Sequence, residues 1–478
     1  MVLPLLVAVP AIIGILTWLI DDVRLDLALL LLGAVCHLGL VASIYMTGHS
    51  SGASASMFAL DQTALLFLSI TSVLFLLVAL YTPQYILHGT HDEQEAPHRF
   101  VPCLLWFLAA MTLVCVTQHL ALQWAAIEAT TLASAPLVYF YKRKEALEAA
   151  WKYLLICSVG IALALLGVFF LGIASSAHGA SGASLQLHDV LQTAPTLSRT
   201  WLRAAFVLAL VGFGTKMGLA PMHTWLPDTH SQAPSPVSAL LSGALLNCAF
   251  LAILRFFQVC IRSGDGQFAR TLLLVLGFTS LVVACAFMIG QSDYKRLLAY
   301  SSIENMGIIA IGIGLGGVAT QGAMLQSVNH SLCKAGLFLV AGNILREYGT
   351  TDAGQVRGLL RRLPVTGGLF MALLFAIGGA PPFGAFISEW MILQAAIAQS
   401  HPWLAAAFVS LIALAFVAMA GVALPMLQGP SADNARVVEP RLSISTPMTL
   451  LAVTLVLGLY LPPIVERLTR QAAGAMGG

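Results

Sequence analysis

The chain has 478 residues, 59% of them hydrophobic and only 9% charged, with a formal net charge of +2. A soluble domain is about 25% charged, so this composition, with a mean hydropathy of +0.89, excludes an ordinary water-soluble protein and points to an all-α polytopic membrane protein. The small net charge says little by itself, and no nucleic acid is expected as a partner.

A membrane span needs about 20 apolar residues. In chain order such runs fall near 2–20, 25–46, 59–82, 101–118, 120–141, 150–173, 203–220, 236–261, 270–290, 297–316, 320–345, 365–398, 403–427 and 444–465, about fourteen in all. The first run lacks a basic leader and a small-residue cleavage site, so it reads as a mature span. Alternating the loops puts fourteen Lys and Arg on one side and seven on the other, with Lys216 and Lys334 inside spans. The richer side is expected to be cytoplasmic, which places both termini outside, in a bacterial cytoplasmic (inner) membrane. The stretches 84–99 and 346–362 read as cytoplasmic loops, and 174–202 as an external one. The basic run 141–152 (YKRKEALEAAWK) reads as a positive-inside anchor.

The seventh run ends unusually. At 213–236 the chain reads FGTKMGLAPMHTWLPDTHSQAPSP. It sets Lys216 inside an apolar run, then breaks the helix at Gly218 and Pro221. A lysine in hydrocarbon is costly, and the backbone groups freed by a break need partners. His223, Asp228 and His230 follow, and read as water-access or gating residues that cap and hydrate the break rather than as zinc ligands. GLAP at 218–221 is echoed by GGAP at Gly378, Gly379, Ala380 and Pro381, followed by Pro382. Paired Gly/Pro breaks in two halves of a chain point to a transport site built on an internal repeat. An odd number of spans separates the breaks, so the halves are expected to be inverted.

Six ionisable residues fall within spans: Glu128, Lys216, Glu304, His330, Lys334 and Glu389. Such groups default to proton pathways and relays. Desolvation disfavours the charged forms of both lysine and glutamate, which brings the two closer in proton affinity, while an opposite charge nearby reverses the effect. The proton on Lys216 is therefore expected to depend on whether Glu128 is close. His330 and Lys334, four apart on one helix, share a face. Asn247 and Asn329 are polar enough to hold water near them. The eight cysteines are scattered without CxxC spacing, and no HExxH, Walker loop or GxGxxG after a strand is present, so no metal, cofactor or active site of its own is expected.

The segments KMGLAPMHTWLPDTHSQAPSPVSALLSG, DYKRLLAYSSIENMG, NHSLCKAGLFLVAGNI and GGAPPFGAFISEW resemble the antiporter-like subunits of respiratory complex I, multisubunit cation/proton antiporters and membrane-bound hydrogenases. The likeness covers roughly residues 60–427, and the motifs sit nearest to component F of hydrogenase-4-type complexes. It implies fourteen helices with two inverted five-helix repeats, each containing a broken helix. That divides the chain into an N-terminal three-helix segment (1–100), a first repeat (101–262), a second (270–427) and a C-terminal loop and last helix (428–478). It also implies Glu128 as the fifth-helix glutamate, Lys216 as its partner, Lys334 as the central lysine with His330 one turn before it, and Glu389 as the terminal acid. Two positions depart from the family pattern. Ser242 and Asn247 stand where an eighth-helix histidine or lysine is common, and Asn305, after Glu304, where a histidine is common. The expected function is a proton-translocating membrane subunit of a redox-driven complex, working beside other membrane subunits of a hydrogenase or complex I-like assembly in the lipid bilayer. The alternative is a subunit of a sodium/proton antiporter or bicarbonate-uptake module.

Overall fold

A computed structural model describes residues 2–20, 22–47, 56–87, 97–176, 184–430 and 436–477. Backbone in hydrocarbon must bond within its own segment, and the apolar runs accordingly fold as helices. These are α1 (Val2–Leu19), α2 (Val23–Thr47), α3 (Gln62–Leu87), α4 (Pro97–Val116), α5 (Leu120–Val138), α6 (Lys144–Ser176), the short α7 (Leu187–Thr193), α8 (Arg199–Met217), α9 (Trp225–Gln232), α10 (Ser235–Arg262), α11 (Gly266–Met288), α12 (Tyr294–Leu315), α13 (Val318–Tyr348), the single turn α14 (Leu359–Arg362), α15 (Pro364–Ile377), α16 (Gly384–Ala398), α17 (Pro402–Gln428), α18 (Arg441–Leu459) and α19 (Pro463–Gly474).

Among the described residues ten helices are long and apolar enough to cross a membrane: α1–α4, α6, α10–α12, α17 and α18. The other expected runs are helical as well. Three of them, α5, α8 and α13, bury polar side chains along their length, including Thr130, Thr131 and Ser134 on α5, Lys216 on α8 and Gln326, Asn329, His330 and Lys334 on α13. The fourth, 365–398, is split into α15 and α16.

Three expectations change. The last run, 444–465, is not one helix: α18 stops at Leu459, because Pro462 and Pro463 cannot continue it, and α19 follows. With 12 residues α19 is too short to cross about 30 Å of hydrocarbon. It buries Leu468, Thr469, Ala472 and Ala473 and exposes Arg467 and Arg470. The stretch 174–202 is less a loop than expected, since α6 runs to Ser176, α7 lies within it and α8 begins at Arg199. The expected 84–99 loop narrows likewise, with α3 reaching Leu87 and α4 starting at Pro97; its centre, 88–96, and 177–183 of the other lie outside the described residues.

The apolar stretches of α10 and α12 are wholly enclosed, whereas those of α1 and α17 are 22% buried. The centre of the bundle is therefore α10, α12 and α13, and the rim presents large apolar side chains such as Ile12, Leu155, Val159 and Val417. Helices close up where side chains are absent. A Cβ on Gly212 of α8 would come within 2.5 Å of the Gly160 carbonyl of α6, and one on Gly307 of α12 within 2.8 Å of the Gly277 carbonyl of α11.

One ion pair ties the rim to the centre. Asp61 accepts from the Ala64 N–H at 2.8 Å, capping α3, and pairs with Arg255 of α10, whose side chain is 1% exposed. Removing the acid strands a buried guanidinium, a loss of about 3–5 kcal/mol. Asp61→Ala is therefore expected to lower the thermal unfolding temperature in detergent strongly, and Arg255→Met, which removes the charge instead of stranding it, distinctly less. Equal losses would mean that packing rather than charge holds this corner.

Candidate functional site

The first break is built from the end of α8. Gly218 takes φ +82°, a left-handed conformation that suits glycine, and its N–H closes onto the Gly214 and Thr215 carbonyls. Pro221 offers no N–H. The freed Ala220 N–H donates to Ser280 Oγ of α11 at 2.9 Å, and Trp225 Nε1 of α9 donates to the Thr215 carbonyl at 2.8 Å. The break is thus satisfied by protein, as hydrocarbon requires.

Lys216, in the last turn of α8, is fully buried. Its Nζ donates to Thr131 Oγ1 of α5 at 2.9 Å and to the Tyr153 hydroxyl of α6 at 2.6 Å. The ammonium lies 4.4 Å from the Tyr153 ring centroid and 5.9 Å from that of Trp225. Glu128 and Lys216 form no direct ion pair. Instead Thr131 Oγ1 donates to Glu128 Oε2 at 3.3 Å while accepting from Lys216, and Ser158 Oγ donates to Glu128 Oε1 at 2.9 Å. Tyr153 continues the chain to Ser134 Oγ at 2.7 Å. The acid and the base share one hydroxyl, so a proton gained or lost at either end changes what that hydroxyl can offer the other.

The second group is centred on α13. Lys334 Nζ donates to the Leu298 carbonyl at 2.8 Å and to Ser301 Oγ at 2.6 Å, both on α12. Glu304 stands one turn beyond Ser301, buried, and its Oε2 has no hydrogen-bond partner. His330 Nε2 lies 3.3 Å from the Ser242 carbonyl of α10, and its Nδ1 is unpartnered. Ser242 falls in a π-helical turn, Leu241–Leu245, that interrupts α10, and its Oγ is 2.8 Å from Ser302 Oγ. Such turns recur at functional sites because they loosen the regular backbone bonding. Asn247 Nδ2 donates to Ser331 Oγ at 2.7 Å, leaving Oδ1 unpartnered.

The second break carries Glu389. α15 ends at Ile377, Gly379 takes φ +70°, and α16 starts at Gly384. A Cβ on Gly379 would lie 2.0 Å from Glu389 Oε2, so glycine lets the carboxylate rest where it does. Glu389 Oε1 is 3.5 Å from Gln326 Nε2, which also donates to Asn305 Oδ1 at 2.7 Å. The Ser388 hydroxyl donates to Gln326 Oε1 and accepts from Asn329 Nδ2 at 3.2 Å. Polar side chains of α12, α13 and α16 thus meet behind the acid.

The three residues expected at the first break separate. Asp228 pairs with Lys152 of α6 and Arg296 of α12, each at 3.0 Å, so it ties three helices together at the basic end of the bundle. His223 is 6% exposed, beside the stacked rings of Phe287 and Tyr300. His230 is fully buried on α9, stacked 4.6 Å from Phe338 of α13, with neither ring nitrogen hydrogen-bonded and with Lys295, Lys334 and His330 within electrostatic reach. It belongs with the central group rather than with a water-facing loop.

The sequence and the fold have counterparts. Residues 117–415 match the family described as NADH:quinone oxidoreductase/Mrp antiporter, transmembrane. The chain belongs to that family. It is 35% identical over 421 residues to a hydrogenase-4 component F homolog from Methylacidiphilum infernorum, covering 86% of this chain and 87% of that one. Its fold is also similar to that of a chain in the membrane-bound sulfane sulfur reductase, an archaeal respiratory membrane complex (TM-score 0.88, 22% identity, 99% and 97% coverage). A chain of the Mrp complex from Dietzia sp. DQ12-45-1b gives a TM-score of 0.86 at 21% identity, covering 99% and 96%. The chain is thus an antiporter-like, multi-pass membrane subunit of the kind found in complex I, Mrp and hydrogenase assemblies.

Several residues of this antiporter-like site escaped the sequence reading. Thr131, Ser134, Tyr153 and Ser158 are uncharged, and hydroxyls are common in spans. Gln326 was within reach of it, since Gln326, His330 and Lys334 recur every four residues on one face of α13. At the second break, Gly379→Ala is expected to be strongly destabilising, about 1–3 kcal/mol from the backbone conformation alone. Part of the loss should vanish in a Glu389→Ala background, where the steric conflict is gone. Thermal unfolding of the two single variants and the double variant checks this, and strict additivity would mean that the glycine is not there for the carboxylate.

Proposed function

We propose that this chain is a proton-translocating, antiporter-like subunit of a redox-driven membrane complex of the hydrogenase-4, formate hydrogenlyase or NADH:quinone oxidoreductase type. The single observation that carries this reading is the Glu128–Thr131–Lys216 linkage at the first break. A change of charge in a neighbouring subunit near Glu128 alters the hold of the Thr131 hydroxyl on Lys216, and so the ease with which Lys216 keeps its proton. The proton then passes inward to His330 and Lys334 and outward at Glu389, with Glu304 balancing the charge on Lys334. Between Lys216 and His330, α10 supplies only Ser242, Asn247 and their water-holding amide and hydroxyl groups. His230 adds a titratable ring next to that gap, facing the central group. The chain binds no cofactor of its own, and electron transfer takes place in partner subunits. The basic end of the bundle, with Lys152 and Arg296, faces the bacterial cytoplasm, both termini face outward, and the two broken helices belong to inverted halves.

The likeness in fold to a chain of an Mrp complex supports a second reading, sodium/proton exchange without redox chemistry. Sodium-dependent proton flux in vesicles that lack any dehydrogenase or hydrogenase partner would favour it over the first.

In the assembled complex, Lys216→Ala is expected to leave assembly intact and abolish the coupling of redox turnover to proton pumping, measured by pH-dye quenching in vesicles. Full pumping by this variant would sink the relay. His230→Phe keeps a ring against Phe338 but removes both nitrogens. It is expected to slow proton flux without loss of assembly, and unchanged flux would remove His230 from the path.

A further inference from the structure

Beside the second break lies a groove that shares Glu389 with the proton path and is otherwise lined by apolar groups and glycine. It is a cavity of about 260 Å³ between α16 and α17, walled by Phe386, Trp390, Phe408 and Phe416 and floored by Gly379 and Glu389. Glu389 is the one charged group in its lining. The carboxylate straddles the wall: Oε1 points inward to Gln326, and Oε2 lies over Gly379 at the cavity. Trp390 is 47% exposed, so the groove opens on the rim of the bundle. Phe416 also lines a second cavity of about 150 Å³, running between α15 and α17 past Met371, Leu374 and Met419, whose lining is entirely apolar.

We propose that this groove binds an amphiphilic organic cation, a long-chain amine with its ammonium at Glu389 and its tail in the apolar cavity beyond Phe416. A lone ionised carboxylate among aromatic faces is matched in charge by a proton or by an organic cation, and of the two only the cation also fills the groove. The ring faces attract the ammonium, and the low dielectric strengthens its pairing with the acid. A neutral lipid tail fits the second cavity but leaves the carboxylate without a partner, and an anion is repelled by it. An ammonium beside Oε2 holds Glu389 charged, so an occupied groove removes it as a proton acceptor. That consequence rests on the relay proposed above, whereas the binding does not.

The test is photolabelling of membranes carrying the assembled complex with a long-chain primary amine bearing a diazirine in its tail, followed by peptide mapping. Labelling is expected within α15 to α17, competed by unlabelled dodecylamine. Dodecanol should compete at least about tenfold less well, and in Glu389→Gln the two should compete alike. Ala413→Trp narrows the cavity while leaving the acid in the chain and is expected to abolish the labelling. Equal competition by amine and alcohol in the unaltered protein would overturn the proposal, leaving a groove for acyl chains. So would an absence of label in α15 to α17, as when a neighbouring subunit covers the face. Pumping by the same membranes, measured separately, tells a failed relay from a failed site, because labelling without inhibition keeps the site and discards its link to transport.

Discussion

Thr131 Oγ1 accepts a hydrogen bond from Lys216 and donates one to Glu128, and the first half of the chain is arranged to keep it in that place. A bare ammonium in this interior would be far out of balance. Three helices therefore converge on it: α5 brings the hydroxyl and the acid, α6 brings Tyr153 and Ser158, and α8 brings the lysine itself. The close approach of α6 and α8 at Gly160 and Gly212 is what lets Tyr153 reach Nζ at 2.6 Å. An intervening hydroxyl also differs in kind from a direct ion pair. A direct pair would hold both charges tightly, while a shared hydroxyl leaves each group free to lose or gain a proton at smaller cost.

The second half solves the same problem with different groups. Lys334 is held by a backbone carbonyl and a serine of α12, not by a tyrosine, and Glu304 stands near it without touching. Several polar atoms here have no partner: His330 Nδ1, Asn247 Oδ1, Asn329 Oδ1, Glu304 Oε2 and both nitrogens of His230. Orphans of this kind are rare in a settled core. Most of them lie around α10, α12 and α13, where a buried polar group without a protein partner is the kind of place an ordered water fills. The π-helical turn at Ser242 belongs to the same region, where the backbone of α10 departs from regular bonding next to His330.

Much of this was legible before any coordinates. Charged residues in apolar runs stand out because hydrocarbon penalises them, so Glu128, Lys216, Glu304, His330, Lys334 and Glu389 could be picked from the chain, as could the breaks at Gly218–Pro221 and Gly378–Pro382. The expected spans proved helical for the same reason, apart from the interruptions at the two breaks and at 460–462. The uncharged members were not legible. Thr131, Tyr153, Gln326 and Ser388 look like hundreds of other polar residues in spans, and only their partners distinguish them. The final span was misjudged because hydropathy averages over Pro462 and Pro463, where hydrogen bonding does not. The sequence raised the question of whether Glu128 stands close to Lys216, and only the structure places the Thr131 hydroxyl between them, since spacing says nothing about what stands between two helices.

The sequence by itself determined the class of molecule and the identity of its buried charges, because both follow from the penalty hydrocarbon places on charge, while its family rested on the likeness of particular motifs. Tertiary structure alone decided depth and company. His230, Asp228 and His223 lie within eight residues of one another, yet one is sealed beside Phe338, one is clasped by Lys152 and Arg296, and one flanks a stacked pair of rings. On an eight-residue helix such as α9, neighbours in sequence point in different directions. Which of them reaches the polar interior is settled by the helices packed around it.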